Sequence, residues 1–343
     1  MSPFPERDAD HRPLLEVSGL HTHFRTARGV LRAVDGVDLR VGRGEILGVV
    51  GESGSGKSVL AQSIVRVNAP SQLQRADGSI RFDGMELMGL DEHAMRRLRG
   101  ARIAMVTQNP STALNPVFRI DSQMLETWRF HPDRRPQGTH ARQRMLDLLA
   151  EVQLPAPERI ARSYPFQLSG GMKQRVAIAM ALMGEPELLI ADEPTTALDV
   201  TIQSQILELI RNARRDHGTA VILITHDLGV VARLCDTVAV MYAGRIVEYN
   251  RTRELFSRPV HPYTQGLLAS NPVFGRRHDR LAAMPGQPPD LLALSEGCAF
   301  APRCSHARES CRREVPALVP GPGGFHHRCP VRAVEAPMAG ACQ

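Results

Sequence analysis

The sequence predicts an α/β protein: a core of buried strands, an antiparallel β layer ahead of it, a helical insertion within it, and a small cysteine-containing extension behind it. Three observations predict this. Short apolar runs at Glu45–Val50, Ile103–Val106, Leu188–Ala191 and Ala220–Ile224 read as buried strands. The first runs directly into Gly51-Glu-Ser-Gly-Ser-Gly-Lys57-Ser58, a phosphate-binding loop by its G-x-x-x-x-G-K-[ST] spacing. Five of the six cysteines stand at or after residue 298, so the end of the chain is chemically unlike the rest.

The elements follow in order. Leu14–Leu20 and Ala33–Val41 alternate apolar and polar residues, with a polar turn around Ala27-Arg28-Gly29; they read as half-buried antiparallel strands. Phe24 lies between them and is either an aromatic that stacks on an adenine ring or an edge-strand core residue. After the loop, Val59-Leu60 and Ile64-Val65 keep helical spacing, so the glycines sit where a strand turns into a helix. Gly78–Gly84 reads as a strand and turn. The dense basic run Arg96-Arg97-Leu98-Arg99-Gly100-Ala101-Arg102 reads as a solvated helix face ending at Gly100, with anionic headgroups or an acidic partner as the alternative.

Gln108 follows the Ile103–Val106 strand at once. From 109 to about 167 the pattern is helical, clearest over Arg142–Val152 and broken at Pro132–Gly138 and Leu154–Pro157. Leu168-Ser169-Gly170-Gly171-Met172 opens another helix with Ser169 at the capping position. Val176, Ile178, Ala179, Leu182 and Met183 form its buried face, and it stops near Gly184-Glu-Pro186. Leu188–Ala191 ends in Asp192-Glu193 and Ala220–Ile224 ends in Thr225-His226, while Val238–Met241 and Arg245–Glu248 complete the core. Past Glu254 the composition shifts: His261-Pro-Tyr-Thr264, a short helix to Ser270, a Pro- and Arg-rich stretch through Pro289, then the cysteines. No period of 20 to 50 residues repeats, which excludes solenoids and propellers.

These strand ends carry a coherent chemistry. Backbone N–H groups of the loop and the positive end of the helix behind it form a nest for phosphates, which only glycines allow the backbone to approach closely. Lys57 adds a point charge and Ser58 a hydroxyl for Mg²⁺. Asp192 suits the same ion, Glu193 can orient and deprotonate a water, Gln108 can complete the metal shell, and His226 can hydrogen-bond a γ-phosphate oxygen. Open α/β sheets bind ligands at the carboxyl ends of their strands, where all of these residues stand.

Bulk properties narrow the field. With 43% hydrophobic and 23% charged residues the chain is globular, not disordered. Its net charge of +6 is spread along the chain, giving no nucleic-acid stripe. No apolar run reaches the roughly 18 residues of a membrane span, and the polar N-terminus is unlike a signal peptide. A cytoplasmic location follows, and in a reducing compartment the cysteines point to a metal or cluster site before a disulfide framework. Cys298, Cys304, Cys311 and Cys329 stand in a C-x5-C-x6-C-x17-C pattern with Pro330 after the last. The rival is zinc on some of them with His306, His326 or His327. Cys235 reads as core and Cys342 as a loose terminal thiol.

Over residues 14 to 255 the chain resembles the nucleotide-binding subunit of an ABC transporter. Walker A is Gly51–Ser58, the Q-loop residue Gln108, the signature Leu168-Ser-Gly-Gly-Met172, Walker B Leu188–Asp192 with Glu193, the D-loop Ala197-Leu-Asp199 and the switch histidine His226. The resemblance implies an ABC-type P-loop NTPase core with a helical subdomain at about 109–167, and a head-to-tail dimer closing on two ATP molecules. It implies that Phe24, Gly51, Ser53, Gly54, Ser55, Gly56, Lys57, Ser58 and Val59 hold ATP. Ser58, Gln108 and Asp192 would hold Mg²⁺, Glu193 would be the catalytic base, and Ser169, Gly170, Gly171 and Asp199 would reach the nucleotide of the partner. Phe24 replaces the usual A-loop tyrosine and Met172 the usual glutamine.

Gln108-Asn-Pro-Ser-Thr-Ala-Leu-Asn-Pro116, His261-Pro-Tyr-Thr264 and the cysteine tail are similar to ATPase subunits of oligopeptide and dipeptide importers. That resemblance implies a [4Fe-4S] cluster on Cys298, Cys304, Cys311 and Cys329 within an extension spanning 256–335. It also implies a second ATPase subunit, a paralogue before a second copy, two transmembrane permease subunits docked on the helical insertion, and an extracytoplasmic substrate-binding protein acting indirectly. Peripheral attachment to the cytoplasmic face of the plasma membrane goes with it. Nickel or an antimicrobial peptide as cargo is an alternative, and so is a soluble ABC ATPase of translation or DNA repair, although those carry two cassettes or a long coiled-coil insertion. A third has the cysteines regulate transport as a redox sensor.

Overall fold

The computed structural model describes residues 12–109, 113–130, 141–195, 200–271, 284–320 and 326–331. The expected D-loop, Cys342, the Pro132–Gly138 break and part of the Pro- and Arg-rich stretch lie outside these residues. The chain divides into two compact units: residues 1–40, 47–88 and 225–343 form the first, and 41–46 with 89–224 the second.

In the first unit, β1 (Leu15–Thr26) and β2 (Gly29–Val41) realise the predicted alternation. With β4 (Leu73–Phe82) and β5 (Met85–Glu86) they form a four-stranded layer in the order β2-β1-β4-β5. Val17, Leu20, Val37, Leu39, Ile80 and Phe82 are buried beneath it. β3 (Ile46–Val50) has every residue buried, as expected of a strand covered on both faces. It pairs in parallel with β9 (Thr237–Tyr242), which pairs antiparallel with β10 (Arg245–Arg251).

The core does not stop at β10, as the apolar pattern predicts. Two two-residue strands from the extension, β11 (Val319–Pro320) and β12 (His326–His327), continue the sheet through the pairs Glu248↔His327 and Tyr249↔His326. They are too short to carry a periodicity, and tertiary pairing alone defines them. The helices of this unit are α1 (Lys57–Ile64), α8 (Leu228–Leu234), α9 (Thr252–Ser257), α10 (Pro262–Ala269) and α11 (Glu309–Arg313).

The second unit holds α2 (Glu92–Leu98), β6 (Ile103–Val106), α3 (Ile120–Phe130), α4 (Ala141–Glu151), α5 (Pro157–Arg162), α6 (Gly170–Leu182), β7 (Leu188–Asp192), α7 (Val200–His217) and β8 (Ala220–Ile224). β6, β7 and β8 are parallel neighbours. The insertion is helical as expected: α4 buries Met145, Leu148 and Leu149 at i, i+3, i+4 spacing, and α3 buries Ile120 and Met124. The basic run is only partly a solvated helix face. Arg96 and Arg99 both reach Glu92, whereas Arg102 lies beyond α2 and grips Glu187 through two nitrogens at 2.7 and 2.8 Å. Among the described residues no helix is long and apolar enough to cross a membrane.

Candidate functional site

The phosphate-binding loop leaves β3 at Gly51 and enters α1 at Lys57, the strand-loop-helix context the motif needs. Two of its glycines are required by packing within the chain itself. A Cβ on Gly51 would stand 2.1 Å from the Met241 carbonyl oxygen, and one on Gly56 2.0 Å from that of Ala33. Gly56 also holds a φ of +103°, strained for any side chain. Only Gly54, at φ +79°, would meet nothing. Packing of the loop against its own chain therefore fixes two glycines out of three.

Lys57 is 5% exposed, and its ammonium lies across the loop, donating to the carbonyl oxygens of Gly51 and Glu52 at 2.9 Å each. Ser55 is buried with it, Ser53 and Gly54 are exposed at the loop's crest, and Ser58 and Val59 are half-buried on the first turn of α1. Phe24 is half-buried on β1, opposite Leu73 of β4 at a register irregularity. His226 is exposed directly after β8, and Asp227 behind it caps α8 by accepting from Gly229 and Val230.

A feature of the loop that sequence reasoning missed is the confinement of Glu52. Arg303, its side chain 5% exposed, donates to both Glu52 carboxylate oxygens at 2.7 and 3.0 Å. The Tyr263 hydroxyl accepts from its N–H at 2.8 Å. Both partners come from beyond residue 255, and a separation of 251 residues leaves no local signal. Burial beside Glu52 pushes the Tyr263 hydroxyl pKa up, and the Glu52 carboxylate raises that of Arg303.

In the second unit, β7 ends in buried Asp192, followed by half-buried Glu193. Glu193 has φ +46°, the left-handed region that a glutamate occupies at a cost, while its N–H donates to Ile224 of β8. The turned backbone releases its side chain from the strand direction. Gln108, two residues past β6, donates its amide to the Glu193 carboxylate at 2.8 Å. Two residues predicted from separate motifs thus touch. Ser169 caps α6 as expected, its hydroxyl accepting from Met172 N–H at 3.3 Å. Ser169 and Gly170 are exposed, Gly171 is buried, and a Cβ on Gly170 would meet nothing within 4 Å. The expected inner face of α6, Val176 to Met183, is buried.

Three of the extension's cysteines share one apolar cluster. Cys311 and Cys329 are buried with Ala301 and Val331, and Cys298 packs against them. Cys298 N–H donates to the Cys311 carbonyl at 2.7 Å, and a thiolate at Cys298, Cys304 or Cys311 would repel one at Cys329. Burial raises all three of Cys298, Cys304 and Cys329, the last to about 11. Among the described residues, only His21, His23 and Asp35 bring three ligand atoms within 4.8 Å of one another. No three of the described thiols therefore lie within 4.8 Å of one another. His326 and His327 are tied into β12, and His327 Nδ1 accepts from Cys329 N–H, while His306 is exposed. The His21–His23–Asp35 group has cation-site geometry, but Arg245 already binds its carboxylate at 2.6 and 3.1 Å, so it reads as an ionic knot joining β1, β2 and β10.

Comparison with known proteins places this geometry. A family model described as ABC transporter matches residues 34–196, and one described as oligopeptide/dipeptide transporter, C-terminal region, matches residues 247–311. A protein of Brucella abortus named for peptide import ATP binding is 47% identical over 93% of this chain and 95% of its own. A peptide ABC transporter ATP-binding protein of Sinorhizobium fredii is 49% identical over 89% of this chain and 91% of its own. Among solved structures, the dimeric ATP-binding cassette MJ0796 in a post-hydrolysis state bound to ADP and Pi superposes with a TM-score of 0.62 at 27% identity, covering 70% of this chain and 99% of that one. The cbiO1 protein from Clostridium perfringens, part of the cbiONQ transporter complex, gives 0.57 at 28% identity, covering 72% and 91%.

Proposed function

This chain belongs to the ABC transporter family as one of its ATPases, and on that premise we propose the following division of labour within an importer of di- and oligopeptides. The observation that carries the reading is the presence, in one chain, of the complete ATPase motif set and the C-terminal region of oligopeptide and dipeptide transporters. Residues 14–255 are the nucleotide-binding domain, and residues 256–335 the peptide-importer extension.

The loop from Gly51 to Ser58, with Val59 behind it, receives the phosphates of ATP, and Phe24 stacks on the base. Lys57 exchanges its loop carbonyls for phosphate oxygens, an exchange of like for like in a site already built to hold its charge. Ser58, Asp192 and Gln108 would hold Mg²⁺, whose charge would offset that developing on the transferring phosphoryl group. Glu193 orients the attacking water and accepts its proton. The Gln108 amide restrains that carboxylate, so movement of Gln108 away from Glu193 would free the base. His226 stabilises the γ-phosphate oxygens.

Ser169, Gly170, Gly171 and Asp199 serve the nucleotide of a second cassette. The exposed N-terminus of α6 supports this reading, since a capped helix start with an open glycine is a ready anion site. The second cassette is a paralogue, the pair engages two membrane-spanning subunits, and a binding protein delivers the peptide on the far side. The exposed Phe118, Phe130 and Phe166 of the helical insertion offer apolar groups to those membrane subunits, and the chain sits peripherally at the cytoplasmic face.

Cys298, Cys304, Cys311 and Cys329 would hold a [4Fe-4S] cluster, a reading supported by the four thiols that one short extension supplies. Binding releases their protons and cross-links loop segments that hold little apolar core of their own.

Affinity purification from membranes in mild detergent tests the assignment. Two polytopic subunits and a second cassette should co-purify, with iron and sulfide in the chain. Recovery with ribosomes or nucleic acid, or with nothing, contradicts it.

A further inference from the structure

The confinement of Glu52 is complete. Its N–H is held by Tyr263, its carbonyl oxygen accepts from both Lys57 Nζ and Ser55 N–H, and both its carboxylate oxygens are taken by Arg303. A loop that must present its N–H groups in one direction is thus pinned at its second residue by groups from the extension. Arg303 is itself fixed: its Nε donates to Pro285, Nη1 reaches the Tyr242 hydroxyl at 3.3 Å, and its stem packs on Gly286.

The route from there to the cysteines is short. Arg303 closes the 3-10 turn Ala301–Arg303 immediately before Cys304, and Ala301 N–H donates to the Cys298 carbonyl at 2.9 Å. Phe300, one residue before that turn, packs its ring against Tyr242 and Tyr263 at centroid distances of 5.3 and 5.5 Å. Nothing in the peptide-import reading requires this contact, since phosphates are bound by the loop and not by residues 242, 263 or 303.

We propose that Arg303 is a positioning residue for the nucleotide site: by clamping Glu52 it holds the phosphate-binding loop, and with it Lys57, in the nucleotide-ready form, and so makes ATP affinity depend on the cysteine-bearing extension. The inference rests on the ATPase reading of the loop. A surface ion pair would contribute little, but this one is buried at the guanidinium and bidentate, where both geometry and charge matter. Its effect falls on binding, because Arg303 reaches a residue of the loop and no residue of the hydrolytic set.

The test uses the full-length chain and a fluorescent ATP analogue, with ATPase turnover measured in parallel. Arg303→Ala should weaken nucleotide binding about tenfold and raise KM alike, with kcat within twofold at saturating ATP. Arg303→Lys should recover part of the affinity, since a lysine keeps the charge and loses the fork. Glu52→Gln, which breaks the pair from the loop side without touching the extension, should weaken binding similarly, and the double variant should be no worse than either single one. An unchanged dissociation constant in Arg303→Ala, or losses that add in the double variant, would overturn the proposal. Should Arg303→Ala unfold, Glu52→Gln with Arg303 intact decides alone. A wild-type chain that binds no nucleotide would sink the ATPase reading instead.

Discussion

Two glycine-bearing helix N-termini, those of α1 and α6, are built in opposite ways. At the head of α1, a Cβ on Gly51 or Gly56 would fall about 2 Å from a backbone carbonyl oxygen, and Lys57 is buried and tied to the loop. At the head of α6, Ser169 caps an exposed turn and Gly170 faces open space. Both can present N–H groups to an anion. The first is shaped by its own chain and can be complete alone, whereas the second keeps a glycine that its own fold does not need. A glycine in a helical turn costs about 1 kcal/mol relative to alanine, so its presence points to a requirement outside the chain.

The largest expected effect comes from breaking the closed site. Gly56→Ala would force a Cβ into the Ala33 carbonyl at a φ that alanine avoids, costing more than about 3 kcal/mol. Thermal unfolding and nucleotide binding should both collapse. If Gly56→Ala folds and binds ATP normally, the contrast drawn here fails on its first side. Next in size, Glu193→Gln should retain nucleotide while turnover falls by roughly 10²- to 10⁴-fold, the range for loss of a general base. Brisk hydrolysis by that variant would remove Glu193 from its role.

Gly170→Ala sharpens the comparison from the open side. The substitution should leave stability unchanged or raise it by up to about 1 kcal/mol, because alanine favours the helix and meets nothing. ATPase turnover should drop nonetheless, since the methyl group intrudes where a partner's nucleotide would lie. Equal activity would make the glycine incidental.

A pH signature is expected on the closed side only. His261 is buried at the cap of α10, two residues before Tyr263, and burial, with the nearby His327, lowers its pKa to about 3. A histidine with a depressed folded pKa leaves the protein stable above its unfolded value near 6.5, and stability is lost as pH falls from there toward 3. The slope should approach about 1.4 kcal/mol per pH unit, and His261→Asn, which keeps a capping acceptor, should flatten it. Denaturant titrations at pH 7 and pH 5 measure both.

Much of this was legible from the chain. Apolar runs fix β3, β6, β7 and β8 because strands buried on both faces need no alternation, and Ser169, Gln108, Asp192 and His226 follow from motifs at their ends. What could not be read depends on contacts distant in sequence. The two-residue strands β11 and β12 have no period, and the grip of Arg303 on Glu52 spans most of the chain. Arg102 looks like one more charge on a helix until Glu187 is brought to it. The motif spacing is also silent on why each glycine is needed: for Gly51 and Gly56 the answer is a carbonyl of the same chain, and for Gly170 it is absent from the chain altogether.

The central claim, that the head of α6 is completed by the nucleotide of a second cassette, is tested most directly by light-scattering mass measurement. The Glu193→Gln chain would be measured with and without ATP, alone and mixed with the cassette that co-purifies with it. The account predicts a two-cassette particle that forms only with ATP and is abolished by Ser169→Arg, while that second variant still binds nucleotide. A particle that stays monomeric in every mixture, or a dimer indifferent to Ser169→Arg, would contradict it.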